Sequence, residues 1–237
     1  SGNLVDQQGI ALNSSYKRYQ TNLNLIKHFN SRFSMGLNLN LARYRRAPGS
    51  GVNFGSTAGW KNSILALPPT MAARKSDGSP EDFNPIAYFG GGIVNTSLAQ
   101  AEMITEYTTY NDLLGTLYAT YEIMDGLTFK SSVGVHLSNS TFHEYEPSYL
   151  PSNVASHAEF GYARTDMGFE NYILNENTLT YQKNFGKHSL NVLGGVTYQD
   201  AQNTSMSIRG GGITNDIVRW NDFASIPQEH RNTSSNF

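Results

Sequence analysis

Apolar and polar residues alternate with a period of two along three stretches of the chain. In residues 33–41, the clearest stretch, every odd-numbered position is Phe, Met or Leu and every even-numbered position is Ser, Gly or Asn. Successive side chains of a β-strand point to opposite faces, so this pattern is typical of a strand with one apolar face. Thr21 to Leu25 alternate in the same way, and a short turn near Asn30 separates the two arms. The pattern predicts a β-hairpin over about 16–46.

Two further hairpins are predicted by the same alternation. Residues 117–123 alternate up to an Asp125-Gly126 turn, a strong hairpin signal because both central positions tolerate positive φ. The chain returns through a second alternating arm, which places this hairpin at about 107–138. A third hairpin is predicted at about 172–199, with a weaker first arm whose apolar face contains asparagine.

Short and long connections alternate between these predicted strands. The turns within hairpins are tight, whereas the remaining segments, about 47–106, 139–170 and 200–237, are long and polar. Loops above about 12–15 residues are uncommon in compact domains, but outer-membrane β-barrels combine short periplasmic turns with long extracellular loops. The predicted fold class is therefore all-β, an antiparallel transmembrane β-barrel segment of about six strands. We treat 1–237 as part of one barrel domain. Because single-chain bacterial barrels begin at about eight strands, six strands indicate a piece of a larger barrel or an incompletely determined sequence.

The alternation also assigns each strand residue to a face. We expect the following apolar residues to face lipid: Leu37, Leu39, Phe129, Val133, Val135 and Val192. We expect the following polar residues to face the water-filled lumen: Arg18, Gln20, Asn22, Asn38 and Asn40. Arg43, Arg45 and Arg46 follow one predicted strand, where they would either bind phosphates of the outer lipid leaflet or form a solvated rim.

Composition excludes several classes of protein. The 237 residues carry 17 Lys and Arg against 19 Asp and Glu, and this near-zero balance lacks the basic surface of a nucleic-acid-binding protein. The chain contains no cysteine, which excludes a disulfide framework or a thiolate nucleophile. Charged residues at 15% and aromatic residues at 12% argue against disorder. A soluble protein and an outer-membrane β-barrel can both have these values, so only the pattern of apolar and polar residues distinguishes the two classes.

The sequence contains no catalytic constellation. His143-Glu144 and His157-Ala158-Glu159 lack the spacing of a helical zinc motif, so we predict neither an enzyme nor a metal or other cofactor site. Aromatic rings in loops can stack on sugar or peptide faces. The candidate substrate-binding aromatics are Trp60, Tyr88, Phe89, Tyr145, Tyr149 and Trp220. For most of them, packing in a loop core or against a partner protein is the simpler interpretation.

Several stretches resemble, in order and spacing, the middle of the barrel of SusC/RagA-type TonB-dependent outer-membrane transporters. They include Leu-Asn-Leu-Asn-Leu-Ala-Arg at 37–43, Ala-Leu-Pro-Pro-Thr at 66–70, Leu-Leu-Gly-Thr-Leu-Tyr-Ala at 113–119, Gly-Leu-Thr-Phe-Lys-Ser-Ser-Val-Gly at 126–134 and His-Ser-Leu-Asn-Val-Leu-Gly-Gly at 188–195. Each motif is moderately specific, and their collinear order is the stronger signal.

This resemblance implies a bacterial outer-membrane location and a barrel of about 22 strands with an N-terminal plug. It implies import of oligosaccharides or peptides, a SusD-like surface lipoprotein as partner, contact with outer-membrane lipid, and energy from the TonB–ExbB–ExbD complex. We find neither plug nor TonB box in this chain and expect energy coupling through other parts. The alternative is a soluble, secreted all-β carbohydrate-binding module whose apolar face is buried against a second sheet.

Overall fold

The computed structural model describes residues 1–49, 72–81, 97–149 and 161–236. These residues form an eight-stranded antiparallel sheet in which each strand pairs with its neighbours in sequence. The strands are β1 (Gly2–Gln8), β2 (Ser14–His28), β3 (Phe33–Pro48), β4 (Thr105–Met124), β5 (Leu127–Glu146), β6 (Tyr162–Phe185), β7 (His188–Gly210) and β8 (Arg231–Asn236). A helix, α1 (Ser97–Met103), precedes β4, and three short 3-10 helices lie between β7 and β8: Arg219–Asn221, Phe223–Ser225 and Gln228–His230.

Strands β2 to β7 form three hairpins at the places where alternation predicts them. In the first turn, Oδ1 of Asn30 accepts hydrogen bonds from the backbone N–H groups of Arg32 and Phe33, each at 2.8 Å. In the second turn, Gly126 has a φ of 82°, a left-handed conformation that glycine adopts without steric cost. Local turn chemistry therefore helps to fix the register of the first two hairpins.

The sheet exceeds the predicted six strands in number and length. β1 and β8 were not predicted, and β6 and β7 run for 24 and 23 residues, well beyond the roughly 9–11 that cross a membrane. Residues 139–146, 162–170 and 200–210, which we predicted to be loop, belong to strands. These residues show no clear period-two pattern, because the ends of β5 and β6 are covered by the loop that follows β7 and the pairing there does not require alternating hydrophobicity.

The register aligns paired side chains of neighbouring strands in rows that run across the sheet. Leu25 pairs with Leu37, Leu37 with Leu117, and Leu117 with Val133. The neighbouring row pairs Asn24 with Asn38, and Asn38 with Thr116. Because paired residues point to the same side, the sheet has two faces, which we name after these rows the apolar face and the polar face.

Side chains in the middle of the apolar face are exposed. Leu117, Val133 and Val192 expose 47%, 42% and 52% of their surface, and in the described part of the chain no second sheet covers them. A soluble sandwich would bury such residues in its core, whereas a barrel wall presents them to lipid. This exposure argues against the soluble binding module.

Among the described residues, no helix is long and apolar enough to cross a membrane.

Candidate functional site

Polar side chains line the polar face of β2 and β3. Asn22 pairs with Asn40 across the two strands, and Nδ2 of Asn40 donates a hydrogen bond of 2.5 Å to Oδ1 of Asn22. The guanidinium of Arg18 donates to Oε1 of Gln20 on the same face. The five residues predicted to face the lumen, Asn38 among them, therefore share one face and present amide and guanidinium groups able to hydrogen-bond a polar solute.

An aromatic stack continues this face away from the short turns. The rings of Tyr44 and Tyr110 lie 4.6 Å apart with an interplanar angle of 13°, and Tyr16 lies 6.1 Å from Tyr44. Our sequence analysis did not include these tyrosines among the candidate substrate-binding residues. Their parity could have identified them, because Tyr44 and Tyr110 occupy positions in register with the polar residues of β3 and β4. Such flat rings can stack on sugar rings or peptide planes.

Two carboxylates add negative charge to the polar face. Asp112 accepts a hydrogen bond of 2.5 Å from Oγ of Ser138. Asp166 accepts one of 2.6 Å from Oγ of Ser207 and pairs with the guanidinium of Arg164 at 2.6 Å. The polar face thus offers both signs of charge, together with hydrogen-bond donors, acceptors and aromatic rings.

A buried cluster lies at the far end of the apolar face. Residues 211–230, the return loop, connect β7 to β8 and fold back onto β5 and β6. Ile213 and Ile226 of this loop pack with Tyr145 and Ala163 of the strands, and all four are at most 3% exposed. The ring of Trp220 packs against this group and stacks on His143, with centroids 5.0 Å apart. Apolar burial therefore attaches the return loop to the wall.

One carboxylate ties the return loop to β5 and to the residues that follow it. Asp216 accepts hydrogen bonds from the phenol of Tyr145 at 2.5 Å and from the N–H and Oγ of Ser148 at 2.6 and 2.7 Å. Partial burial raises the pKa of Asp216, but these hydrogen bonds outweigh it and hold the pKa below its usual value. The carboxylate is therefore ionised in the folded loop at neutral pH.

Close backbone contact fixes the start of the loop. The N–H of Ile213 donates a hydrogen bond of 3.0 Å to the carbonyl of Gly161. A Cβ atom at Gly161 would lie 1.9 Å from the carbonyl oxygen of Ile213, and the φ of Gly161 is 65°. Only glycine fits this position.

The predicted substrate-binding aromatics lie in different environments. Tyr145 and Trp220 meet in the cluster on the apolar face, and Tyr145 is 3% exposed, so packing in a loop core describes them better than ligand contact. Tyr149 is 68% exposed. Trp60, Tyr88 and Phe89 lie outside the described residues.

The three clustered arginines divide between the faces. Arg43 and Arg45 pair with Asn111 and Thr109 in register with the apolar face, whereas Arg46 lies on the polar face. The guanidinium of Arg45 lies 3.7 Å from the ring centroid of Tyr107, a cation–π contact. Within the described ranges, no group of three or more His, Asp or Glu side chains is arranged to hold a metal ion.

Comparisons with known proteins show which proteins this chain resembles in sequence and in structure. No family model matches the sequence. The chain is 31% identical over 210 residues to the TonB-dependent receptor P3 of Formosa agariphila, an alignment that covers 86% of this chain and 20% of that protein. The structure of the RagAB peptide transporter matches with a TM-score of 0.72 at 20% identity, over 98% of this chain and 26% of that one. The RagAB peptide importer in its open-open state matches with a TM-score of 0.74 at 19% identity, over 97% and 26%.

The antiparallel sheet with its exposed apolar face is a segment of a transmembrane β-barrel of the bacterial outer membrane. The chain is similar in sequence to a TonB-dependent receptor and in fold to the RagAB peptide transporter, the relationship that the resemblance of its motifs implied. It spans about a fifth of the length of the curated relative. The relatives it matches are named as receptors and transporters, not as enzymes.

Proposed function

We propose that this chain forms part of the wall and extracellular loops of a TonB-dependent importer of oligosaccharides or peptides. One observation carries the proposal: the register separates an exposed apolar face from a face of amides, charges and stacked tyrosines. A wall between lipid and an aqueous lumen requires this division. The solved relatives are named as peptide transporters, and the same groups also suit a glycan, so both substrate classes belong to the proposal.

The proposal assigns an environment to each face of the sheet. The apolar residues, among them Leu37, Leu39, Phe129, Val133, Val135 and Val192, face lipid. The polar residues, among them Arg18, Gln20, Asn22, Asn38 and Asn40, face the lumen. The tyrosine stack lies on the same face, farther from the short turns than these amides, so a substrate that enters from the side of the long loops would meet the stack first.

The extracellular end is the expected site of the partner protein. The strand extensions and the exposed Tyr149 lie beyond the alternating part of the hairpins, where a SusD-like lipoprotein would close over the lumen. Energy would reach the transporter from the TonB–ExbB–ExbD complex through parts outside this chain.

The full-length transporter carrying Tyr44→Ala or Tyr110→Ala tests this function. We measure the binding of oligosaccharide and peptide mixtures to the purified protein, together with uptake by cells. Loss of a stacked ring should weaken binding of the substrate class that the transporter takes by roughly tenfold. The matched control is Tyr121→Ala, which removes a tyrosine from the apolar face. Binding that survives both polar-face substitutions, or falls equally with the control, contradicts the proposal.

A further inference from the structure

A shallow groove crosses the apolar face from β2 to β6. We call the direction away from the short hairpin turns upward. The upper border of the groove is a continuous row of paired residues: Tyr19, Arg43, Asn111, Asn139 and Phe169. Its lower border is the adjacent row, in which Leu41, Leu113 and Leu137 occupy the centre. Side chains of both rows line a volume of about 460 Å³.

The groove lies where the surface changes from apolar to polar. From β2 to β6, which the groove crosses, the next row toward the short turns contains Leu23, Leu39, Val135 and Ile173 and no charged side chain. The row above the groove contains Arg45 and also Lys17, which forms a salt bridge with Asp6 of the same row. On a wall in lipid, this change marks the level at which the hydrocarbon ends and the headgroups begin.

One positive charge lies in the two rows that border the groove. It is Arg43, which is exposed, whereas Asp112, which also lines the groove, belongs to the polar face and accepts a hydrogen bond from Ser138. The amides of Asn111 and Asn139 lie beside it in the same row. A guanidinium flanked by amides suits a phosphate, since the fork of Arg binds two phosphate oxygens and the amide NH₂ groups donate to others.

We infer that this groove binds a phosphorylated, acylated glycolipid of the outer leaflet. Its phosphate lies against Arg43 and the two asparagines, and an acyl chain crosses the row of Leu41, Leu113 and Leu137 on its way toward the membrane interior. Tyr19 and Phe169 close the groove at its two ends and contact the sugar of the headgroup. The site holds a membrane lipid on the outside of the wall and is separate from the substrate surface inside it. It rests on the lipid-facing assignment of the apolar face.

The test uses the full-length transporter purified from outer membranes in a mild detergent. The amount of phosphorylated glycolipid that remains bound per protein is measured by mass spectrometry for the wild type, Arg43→Gln and Arg46→Gln. Arg46 is the matched control, because it is three residues away and lies on the polar face. Loss of the charged hydrogen bonds should reduce the lipid retained by Arg43→Gln roughly tenfold. Arg46→Gln should retain the wild-type amount.

A second arm identifies the source of the phosphate. Delipidated protein is offered the phosphorylated glycolipid, its dephosphorylated form, or inorganic phosphate alone. The inference expects binding of the phosphorylated lipid only. Equal retention by Arg43→Gln and wild type, equal binding of the dephosphorylated lipid, or equal binding of inorganic phosphate overturns it. Substrate import should be unchanged in Arg43→Gln, so this inference can fail while the importer proposal stands.

Discussion

Tyr145 and Asp216 lie 71 residues apart, and the phenol of Tyr145 donates a hydrogen bond of 2.5 Å to the carboxylate of Asp216. The bond joins strand β5 to the return loop between β7 and β8. Because Tyr145 is buried under Ile213 and Ile226, the loop is held by apolar packing and by a charge-assisted hydrogen bond together. The end of the segment that lies opposite the short turns is therefore an ordered surface.

Replacing Tyr145 by Phe should loosen the return loop and leave the barrel intact. The ring still packs, but Asp216 loses one of three hydrogen bonds. We expect a cost of about 1.5 kcal/mol, the lower end for a bond to a charged group because Asp216 is only partly buried. Hydrogen exchange of residues 211–230 in the full-length protein should become roughly tenfold faster. Tyr149→Phe, at an exposed tyrosine, serves as control, and equal exchange in the two variants would contradict this role.

Acid should release the same loop. The folded pKa of Asp216 lies below its usual value, so its contribution to stability is present above the unfolded pKa, roughly 3.9, and is lost as the pH falls through the folded pKa. Protection of residues 211–230 from exchange should therefore decrease below about pH 4. Asp216→Asn should weaken the loop at neutral pH and remove this part of the acid dependence. An acid profile identical to that of the wild type would show that another group is responsible.

Gly161→Ala should detach the start of the return loop. The added Cβ would meet the backbone carbonyl of Ile213, which no side-chain movement relieves. The control is Gly186→Ala, where φ is 58° but nothing lies within 4 Å. We expect about 1–2 kcal/mol of backbone strain in both variants and about 1–3 kcal/mol more at Gly161. Limited proteolysis should cut residues 211–230 faster in Gly161→Ala alone; equal cutting of the two variants would show that the close contact is unimportant.

Alternation predicted the part of the fold in which one face of the sheet is apolar. Residues 33–41 indicate their strand and face because a one-residue shift in register would move every apolar side chain to the opposite face. β8 is entirely polar, Arg-Asn-Thr-Ser-Ser-Asn, and pairs with the upper part of β7, where water meets both faces. No hydrophobic pattern marks such a strand, so the sequence indicated about six strands where the described residues form eight.

The candidate site was predictable only in part for the same reason. Asn22 and Asn40 follow from parity, since their neighbours are apolar. The contact of Trp220 with His143 depends on a loop that folds back over the strands, and no local pattern specifies that path. The parity of β3 alone predicts that Arg43 and Arg46 lie on opposite faces. Our sequence analysis treated the neighbouring arginines as one group and did not use this parity.

The account depends most directly on which face of β3 meets lipid. Leu37 and Asn38 are neighbours in the chain and lie on opposite faces, paired with Leu117 and Thr116. The measurement is the fraction of folded, heat-stable barrel in outer membranes for full-length transporter carrying Leu37→Arg or Asn38→Arg. We expect Leu37→Arg to cost about 2–4 kcal/mol and to deplete the folded barrel, and Asn38→Arg to assemble close to the wild-type level. Equal assembly of the two variants, or greater damage from Asn38→Arg, would contradict the account.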